Sequence, residues 1–465
     1  MQFVKSEDLK PGMRLAKPIY NKMGVLLYER DTKLTPQSIN SIENFGLIGI
    51  FILEPAEPLP PISREDMEFE QFQTIYMFKL KDCMDKLLLG KNIPDIRDLV
   101  QNIYTHYGSL DHKLNFTQNL RSSADFVYKH SISVAMLSAM IANELHISME
   151  ESHSLIAAAL LYDFGYLSVT KSILDKGENL SSSDADFIQR QLEDGYEKIR
   201  PHFTELGVSG TSMEIIQNYI FEKHATITPK APKPSVQLLI DILKAADKFD
   251  RMTAMNINHP PVSELSAMTY FHKNIKRYNR SVITALADSI HILPTGACLD
   301  FANGEKGLVL MENPADFLQP MILSFKDNRI YDLSDPKVSE KLVIVDIMKT
   351  MDNRIAIDRD TLKHFAADPL IKETADRFRS QKEKIARRNQ KLAEEAARKR
   401  LSDVASRLIK EEQADDALRQ RTEVINQLLG EDVSSESSPK KEEAQKLELP
   451  NEPEKKRPAR RKKLI

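Results

Sequence analysis

The side chains that could do chemistry in this chain form none of the common local catalytic motifs. We find no glycine-rich phosphate loop, nucleophile elbow, HExxH zinc motif or EF-hand sequence. Cys83 and Cys298 lie far apart with no CxxC spacing, which argues against a disulfide framework and a structural zinc site. The candidates that remain are a histidine and an aspartate inside two apolar stretches, His130 and Asp163. The sequence therefore gives no support to the enzyme classes that these motifs characterise.

These two stretches resemble the HD-GYP family of bacterial signalling proteins, which includes metal-dependent cyclic di-GMP phosphodiesterases. In that family a helix carries a metal-binding His followed by Ser, and His130-Ser131 matches this element. The next helix of the family ends in a His-Asp pair followed by Gly and Lys. Here Asp163 and Gly165 are retained, whereas Tyr162 and Tyr166 stand where the His and the Lys are expected. The resemblance thus implies that half of this motif's chemistry is missing.

Two further segments extend the resemblance over roughly residues 125–255. Residues Val169–Ser181 are similar to the family segment "IPDSILNKPGKLT", and Ile242–Thr253 resemble "ILAVADVFDALT". The second match implies that Asp247 is the closing ligand of the HD core. The N-terminal run LKPGMRLAKPIYNKMGVLL is also similar to a small domain that often precedes HD-GYP units.

Other positions depart from the family pattern. A metal-binding His is expected four residues before Gly195, and this position is Gln191. The expected His-His pair falls on Asn218 and Tyr219, and the Gly-Tyr-Pro signature falls on Thr226-Ile227-Thr228. The resemblance therefore implies a ligand set that is reduced to three residues.

Three interpretations of the retained residues stay open. Hydrolysis with paired metals needs several His and carboxylate ligands. The loss of four of these ligands predicts an inactive site without a cofactor. In such a site, His130 and Asp163 are polar residues that are hydrogen-bonded between packed helices. Alternatively, His130, Asp163 and Asp247 hold a single divalent ion, Mn, Fe or Mg, because three protein ligands with open positions is a common catalytic arrangement. The third interpretation is a modified pocket that binds a nucleotide without cleaving it.

The elements that must position these residues are mainly helices. Apolar residues recur at helical spacing in Phe78–Leu89, Phe126–Leu145 and Ser154–Leu161. We therefore predict a mainly α fold, in which an all-α HD-type core follows a small N-terminal α+β domain. A short β-rich module and a charged helix with a disordered tail complete the predicted chain.

Local signals give more detailed expectations. Thr35-Pro36 and Ser148 predict helix N-termini, and Asn303-Gly304 between two apolar runs predicts a hairpin. The predicted parts are an N-terminal domain (1–54), a Pro-rich linker (55–65), the HD-GYP-like helical domain (66–292), a β-rich extension (293–368), a charged helix (369–430) and a disordered basic tail (431–465).

The C-terminal part is predicted to be solvated. Residues 369–430 are rich in Lys, Arg, Glu and Ala, and their leucines are too sparse for a sustained heptad seam, so we predict a charged helix that could form a homodimer. The tail lacks the apolar content needed to fold. Its cationic cluster could contact an anionic partner. This cluster consists of Lys455, Lys456, Arg457, Arg460, Arg461, Lys462 and Lys463.

Bulk composition sets wider limits. A chain of 465 residues predicts two or three folded units plus extensions, and a net charge of -3 gives no global attraction to nucleic acid or acidic lipid. No segment reaches 18 uncharged apolar residues, and Met1–Leu9 lacks the features of a targeting peptide, which favours a cytoplasmic protein without a transmembrane segment.

Three functions remain open on this basis. The first is a non-catalytic HD-GYP-like regulator that acts through protein partners or senses a cyclic dinucleotide. The second is a divergent metal-dependent phosphohydrolase that uses the residual ligands. The third is a scaffold or assembly protein that acts through the C-terminal helix.

Overall fold

The computed structural model describes residues 1–45, 47, 49–54, 59–90, 93–118, 121, 125–177, 179–222, 231–255, 261–348, 354–355, 367–385, 387–388, 391 and 398. The chain divides into two units, Met1–Glu394 and Glu395–Ile465. Apart from Arg398, the second unit lies outside the described residues. The predicted tail with its cationic cluster, most of the predicted charged helix and Thr226-Ile227-Thr228 therefore also lie outside them. The described residues 369–385 are helical.

The N-terminal part combines short antiparallel strands with one helix. The elements are β1 (Gln2–Lys5), β2 (Arg14–Leu15), β3 (Ile19–Tyr20), β4 (Leu26–Tyr28), α1 (Pro36–Asn44) and β5 (Gly49–Leu53). Strand β5 pairs with β1 and β2, and β3 pairs with β4. Thr35 caps the helix, because its side chain accepts a hydrogen bond from the Ser38 amide, and this confirms the predicted helix start.

A layer of helices follows and confirms the mainly α fold. The helices are α2 (Arg64–Leu88), α3 (Arg97–Tyr107), α4 (Phe126–Glu144), α5 (Met149–Leu161), α6 (Lys171–Leu174), α7 (Ser182–Ile199), α8 (Gly210–Phe221), α9 (Pro234–Thr253), α10 (Glu264–Lys273) and α11 (Arg280–Ser289). Ser148 caps α5 by accepting a hydrogen bond from the Glu151 amide, as predicted. Among the described residues, none of the helices has both the length and the apolar character of a membrane-crossing segment.

Helix α4 lies at the centre of this layer. It packs against α2, α3, α5, α9 and α11, and nearly all of its side chains are buried. A helix that is apolar on all sides is stable only inside a protein. The few polar side chains on α4 are therefore held in fixed surroundings, and His130 is one of them.

Two glycines allow α7 to approach the turn that follows α5. This turn is a 3-10 helix, Phe164–Ser168. A Cβ atom on Gly165 would lie 2.1 Å from the backbone oxygen of Gln191, and a Cβ atom on Gly195 would lie 2.6 Å from the Cα of Gly165. Any side chain at either position would push α7 away from the turn that carries Asp163.

An antiparallel sheet packs onto the helical layer. The elements of this part are β6 (Cys298–Phe301), β7 (Lys306–Met311), β8 (Met321–Ser324), β9 (Ile330–Asp332), α12 (Pro336–Ser339) and β10 (Ile344–Ile347). The strand order of the sheet is β10-β6-β7-β8-β9. Gly304 has a φ of +80° in the turn between β6 and β7, which confirms the predicted hairpin. Leu299, Val309 and Ile322 belong to the same hydrophobic core as α4.

Candidate functional site

The three candidate ligands meet at the centre of the helical layer. His130 lies in the second turn of α4, Asp163 follows α5, and Asp247 lies on α9. One ligand atom of each residue lies within 4.8 Å of the corresponding atoms of the other two, and all three residues are buried. Residues that are far apart in sequence thus form one cluster.

His130 bridges acidic side chains of α9 through both ring nitrogens. Its Nε2 lies 3.0 Å from Oδ1 of Asp247, and its Nδ1 lies 2.5 Å from Oδ2 of Asp250. The Nε2 atom also lies 3.4 Å from Oδ2 of Asp163. Both ring nitrogens therefore lie against buried carboxylates, which fix the orientation of the imidazole.

An arginine binds the two carboxylates that face Nε2. The Nε of Arg251 donates to Oδ1 of Asp247 at 2.8 Å, and its Nη2 donates to Oδ2 of Asp163 at 2.6 Å. The guanidinium carbon lies 5.4 Å from the ring centre of Phe126 and 5.3 Å from that of Tyr166. The side chain is 28% exposed, so Arg251 closes the cluster on its solvent side.

A second arginine closes the inner side of the cluster. Arg121 lies in the connection before α4 and is 1% exposed. Its guanidinium donates to both carboxylate oxygens of Asp250, with Nη2 at 2.7 Å from Oδ1. The same Nη2 also lies 3.2 Å from the hydroxyl oxygen of Ser133 and 3.0 Å from Oε1 of Gln118. Bidentate Arg-carboxylate pairs of this kind combine strong hydrogen bonding with fixed geometry.

The three carboxyl groups differ in electrostatic surroundings. Burial would raise the pKa of Asp250, but the charge and hydrogen bonds of Arg121, together with His130, lower it to about 2. Burial likewise opposes ionisation of Asp247, yet Arg251 and His130 lower its pKa below the usual range. For Asp163 burial outweighs the attraction of Arg251 and His130, so its pKa is raised.

Tyr162 occupies the position where the family pattern has a His. Its hydroxyl donates to Oδ1 of Asp247 at 2.7 Å and lies 2.7 Å from Nε2 of His130. Burial and the neighbouring charges of Asp163 and Asp247 raise its pKa well above 10. The phenol therefore keeps its proton near neutral pH and acts as a hydrogen-bond donor to the cluster.

Three other departures from the family pattern are neutral side chains that take no part in the ion pairs of the cluster. The ring of Tyr219 meets the ring of Tyr162 edge-on at 5.0 Å. The amide of Asn218 donates to the backbone oxygen of Glu214, within its own helix. Gln191 is half-buried on α7.

Comparisons with known proteins agree with this arrangement. Residues 127–252 match the family model described as HD domain. The chain carries an HD domain. A protein named cyclic di-GMP phosphodiesterase from Pseudomonas aeruginosa is 22% identical to this chain over 207 residues. That match covers 44% of this chain and 49% of the relative, so the chain spans about half the length of the relative. The predicted relationship to HD-GYP proteins, within the HD superfamily, is confirmed.

Three charged residues join His130, Asp163 and Asp247 in what we call the HD-domain cluster, and none of the three was predicted from the sequence: Asp250, Arg251 and Arg121. Asp250 is retained in the segment "ILAVADVFDALT", and its position three residues after Asp247 places both on one face of α9. Arg251 stands where that segment has alanine, and this difference was a usable signal. Arg121 gave no signal, because it lies 129 residues from its partner in a connection without periodicity.

Proposed function

We propose that this protein is a non-catalytic HD-type signalling regulator that acts in the cytoplasm through protein partners or a cyclic dinucleotide. The observation that carries the proposal is the position of Arg251, whose guanidinium donates to both Asp163 and Asp247. In this arrangement the guanidinium of Arg251 lies between the two carboxylates that would bind the metal ion in a metal-dependent phosphodiesterase.

The residues present do not fit a divalent ion well. The two carboxylate oxygens that face Nε2 of His130 already accept hydrogen bonds from Arg251, and the one on Asp247 also accepts from Tyr162. Two like unit charges 4 Å apart repel by about 4 kcal/mol at the effective dielectric near a protein surface, and a divalent ion would roughly double this value. Rearrangement of Arg251 would free the oxygen of Asp163, whereas the oxygen of Asp247 would also have to lose its hydrogen bond from Tyr162.

The departures from the family pattern also oppose paired-metal chemistry. A second ion would need further His or carboxylate ligands, but Gln191 and Asn218 offer neutral amides and Asn218 is bonded within its own helix. Tyr162 keeps its proton and donates to the cluster. The proposal therefore assigns these residues to a charge-balanced core that supports the fold.

The direct test is hydrolysis of cyclic di-GMP by the purified chain with Mn²⁺, Mg²⁺ or Fe²⁺. We expect no turnover above the rate of the Asp163→Ala variant, because that variant removes one of the three candidate ligands. Binding of labelled cyclic di-GMP, measured on the same preparations, separates a sensor of the nucleotide from a regulator that works through protein contacts. Metal-dependent hydrolysis that disappears in Asp163→Ala would contradict the proposal.

The alternative is a divergent metal-dependent phosphohydrolase with a single ion. It is favoured by the closeness of His130, Asp163 and Asp247, whose ligand atoms lie within 4.8 Å of one another. This alternative requires one bound Mn, Fe or Mg ion in the native protein. Elemental analysis of the purified chain decides between the two, since only the alternative predicts metal in a fixed ratio to protein.

A further inference from the structure

Arg121 and Arg251 are the guanidinium cations that contact the acidic members of the cluster, Asp163, Asp247 and Asp250. Arg121 binds Asp250 with both arms of its guanidinium. Without Arg251, Asp163 and Asp247 would keep their contacts to the ring of His130, at 3.4 Å and 3.0 Å, but would lose their guanidinium partner. A buried carboxylate without a cation is strongly unfavourable.

The guanidinium of Arg251 is also fixed in place. Its own helix supplies Asp247 four residues earlier, and α5 leads into Asp163 on the opposite side. The rings of Phe126 and Tyr166 pack against the guanidinium. Because a lysine ammonium is a compact point charge, it could not reproduce this planar contact with two carboxylates and two rings.

We infer that Arg251 is a built-in replacement for a metal ion, and that removing its guanidinium turns His130, Asp163 and Asp247 into a divalent-cation site. This inference rests on the proposed function, in which the native protein holds no ion. The three ligand atoms are close enough to surround one ion. Removal of the side chain would free one oxygen of Asp163 and leave an unbalanced negative charge beside it.

The test compares the full-length native chain with Arg251→Ala after removal of metals with EDTA. We expect the native chain to bind no Mn²⁺ at protein-equivalent concentrations, whereas Arg251→Ala binds about one ion per chain, as three preformed ligands allow. Electron paramagnetic resonance measures free Mn²⁺ directly. The metal-free variant should melt roughly 10 °C below the native chain, because a buried charge has lost its partner, and added Mn²⁺ should restore much of this difference.

Two matched variants separate charge from packing. Arg251→Lys keeps a cation and should bind no Mn²⁺, although its melting temperature falls. The double variant Arg251→Ala with Asp163→Asn removes one charge of each sign, so it should melt at a higher temperature than Arg251→Ala in EDTA and also bind no Mn²⁺.

If Arg251→Ala does not fold in EDTA, refolding with and without Mn²⁺ replaces the melting curves. Recovery with Mn²⁺ alone supports the inference, and recovery in neither buffer overturns it.

An Arg251→Ala variant that folds and binds no Mn²⁺, at whatever temperature it melts, would overturn the inference while leaving the proposed function in place. Uptake of Mn²⁺ by the native chain, or hydrolysis of cyclic di-GMP by it, would instead overturn the proposed function. We expect Arg251→Ala itself to remain inactive, because Tyr162, Gln191 and Asn218 offer no ligands for a second ion.

Discussion

Helix α4 carries His130 in its second turn and Glu144 as its last residue, and the charged surroundings of these two side chains differ. Around His130, acidic side chains contact the guanidinium groups of Arg121 and Arg251. Glu144 is repelled by Asp288 and attracted by Lys113. One end of the helix thus buries carboxyl groups in direct contact with guanidinium groups, and the other end places two acidic groups beside one cation.

The electrostatic consequences at the two ends differ. Near His130, the arginines and the His lower the pKa of Asp247 and of Asp250 despite burial, whereas burial raises the pKa of Asp163. At the other end, burial and Asp288 raise the pKa of Glu144 to about 7. Two of the three carboxyl groups near His130 therefore stay ionised over a wider pH range than Glu144 does. We expect the His130 end to respond to mutation and the Glu144 end to respond to pH.

The largest effect is expected for Arg121→Met. Arg121 is almost inaccessible and pairs with Asp250, so its removal leaves a buried carboxylate without its main cation. We expect the free energy of unfolding to fall by about 3–5 kcal/mol. Urea unfolding followed by circular dichroism measures this change.

The double variant Arg121→Met with Asp250→Asn is the matched control. It removes the orphaned charge, and it should recover more than half of the loss, because a pair replaced as a whole is tolerated better than a broken pair. If the free-energy losses of the two single variants add in the double variant, Arg121 and Asp250 are not energetically coupled. Their ion pair would then not stabilise the protein.

An intermediate effect is expected for Tyr162→Phe. The hydroxyl donates to Asp247 at 2.7 Å and contacts His130, while the ring would stay in place. Hydrogen bonds to charged groups contribute roughly 1.5–3 kcal/mol, and Asp247 keeps its other donors, so we expect a loss of about 1.5 kcal/mol. Thermal unfolding is the measurement. The control is Tyr196→Phe, because Tyr196 is a buried tyrosine outside the cluster that packs against Phe221. An equal loss of stability in this variant would show that the contacts of the Tyr162 hydroxyl with the cluster do not stabilise the fold.

Much of this fold is predictable from local sequence signals. The caps at Thr35 and Ser148 and the hairpin at Asn303-Gly304 all follow from residue types that favour one backbone geometry, and the structure confirms them. Helical periodicity placed a helix over Phe126–Leu145, one residue longer than α4. Such signals act over a few residues, so no knowledge of the tertiary contacts is needed to interpret them.

The charge balance of the cluster could not be predicted in the same way. Resemblance selected His130, Asp163 and Asp247, and folding brings them together. The roles of the two arginines were not predicted, because the partner of a long side chain depends on how distant helices pack. Arg121 contacts Asp250, which lies 129 residues later in the sequence, and Arg251 contacts Asp163, which lies 88 residues earlier. The sequence shows that Arg251 replaces the alanine of the family segment. Its pairing with Asp163 could be recognised only once the position of α5 relative to α9 was known.

The smallest effect is expected at the other end of α4, for Glu144→Gln. Burial, and then Asp288, raise the pKa of Glu144 from its ordinary value of 4.5 to about 7 in the folded chain. The folded state therefore binds this proton more tightly than the unfolded state, so the stability linked to Glu144 is fully present below about pH 4.5 and is lost as the pH rises through 7. The carboxylate also lies at a helix C-terminus, where negative charge is unfavourable. Replacing it with an amide removes this pH-dependent loss.

Glu144→Gln should match the native chain at pH 5 and exceed its free energy of unfolding by about 1 kcal/mol at pH 8, a value reduced for the partial exposure of the side chain. Urea unfolding at half-unit steps of pH gives the difference curve, in which the titration of other groups cancels. Glu150→Gln, an exposed residue on the neighbouring α5, removes the same charge and should stay within about 0.5 kcal/mol of the native chain at every pH. Parallel curves for the native chain and Glu144→Gln would mean that Lys113 balances this end of α4 as fully as the arginines balance the other.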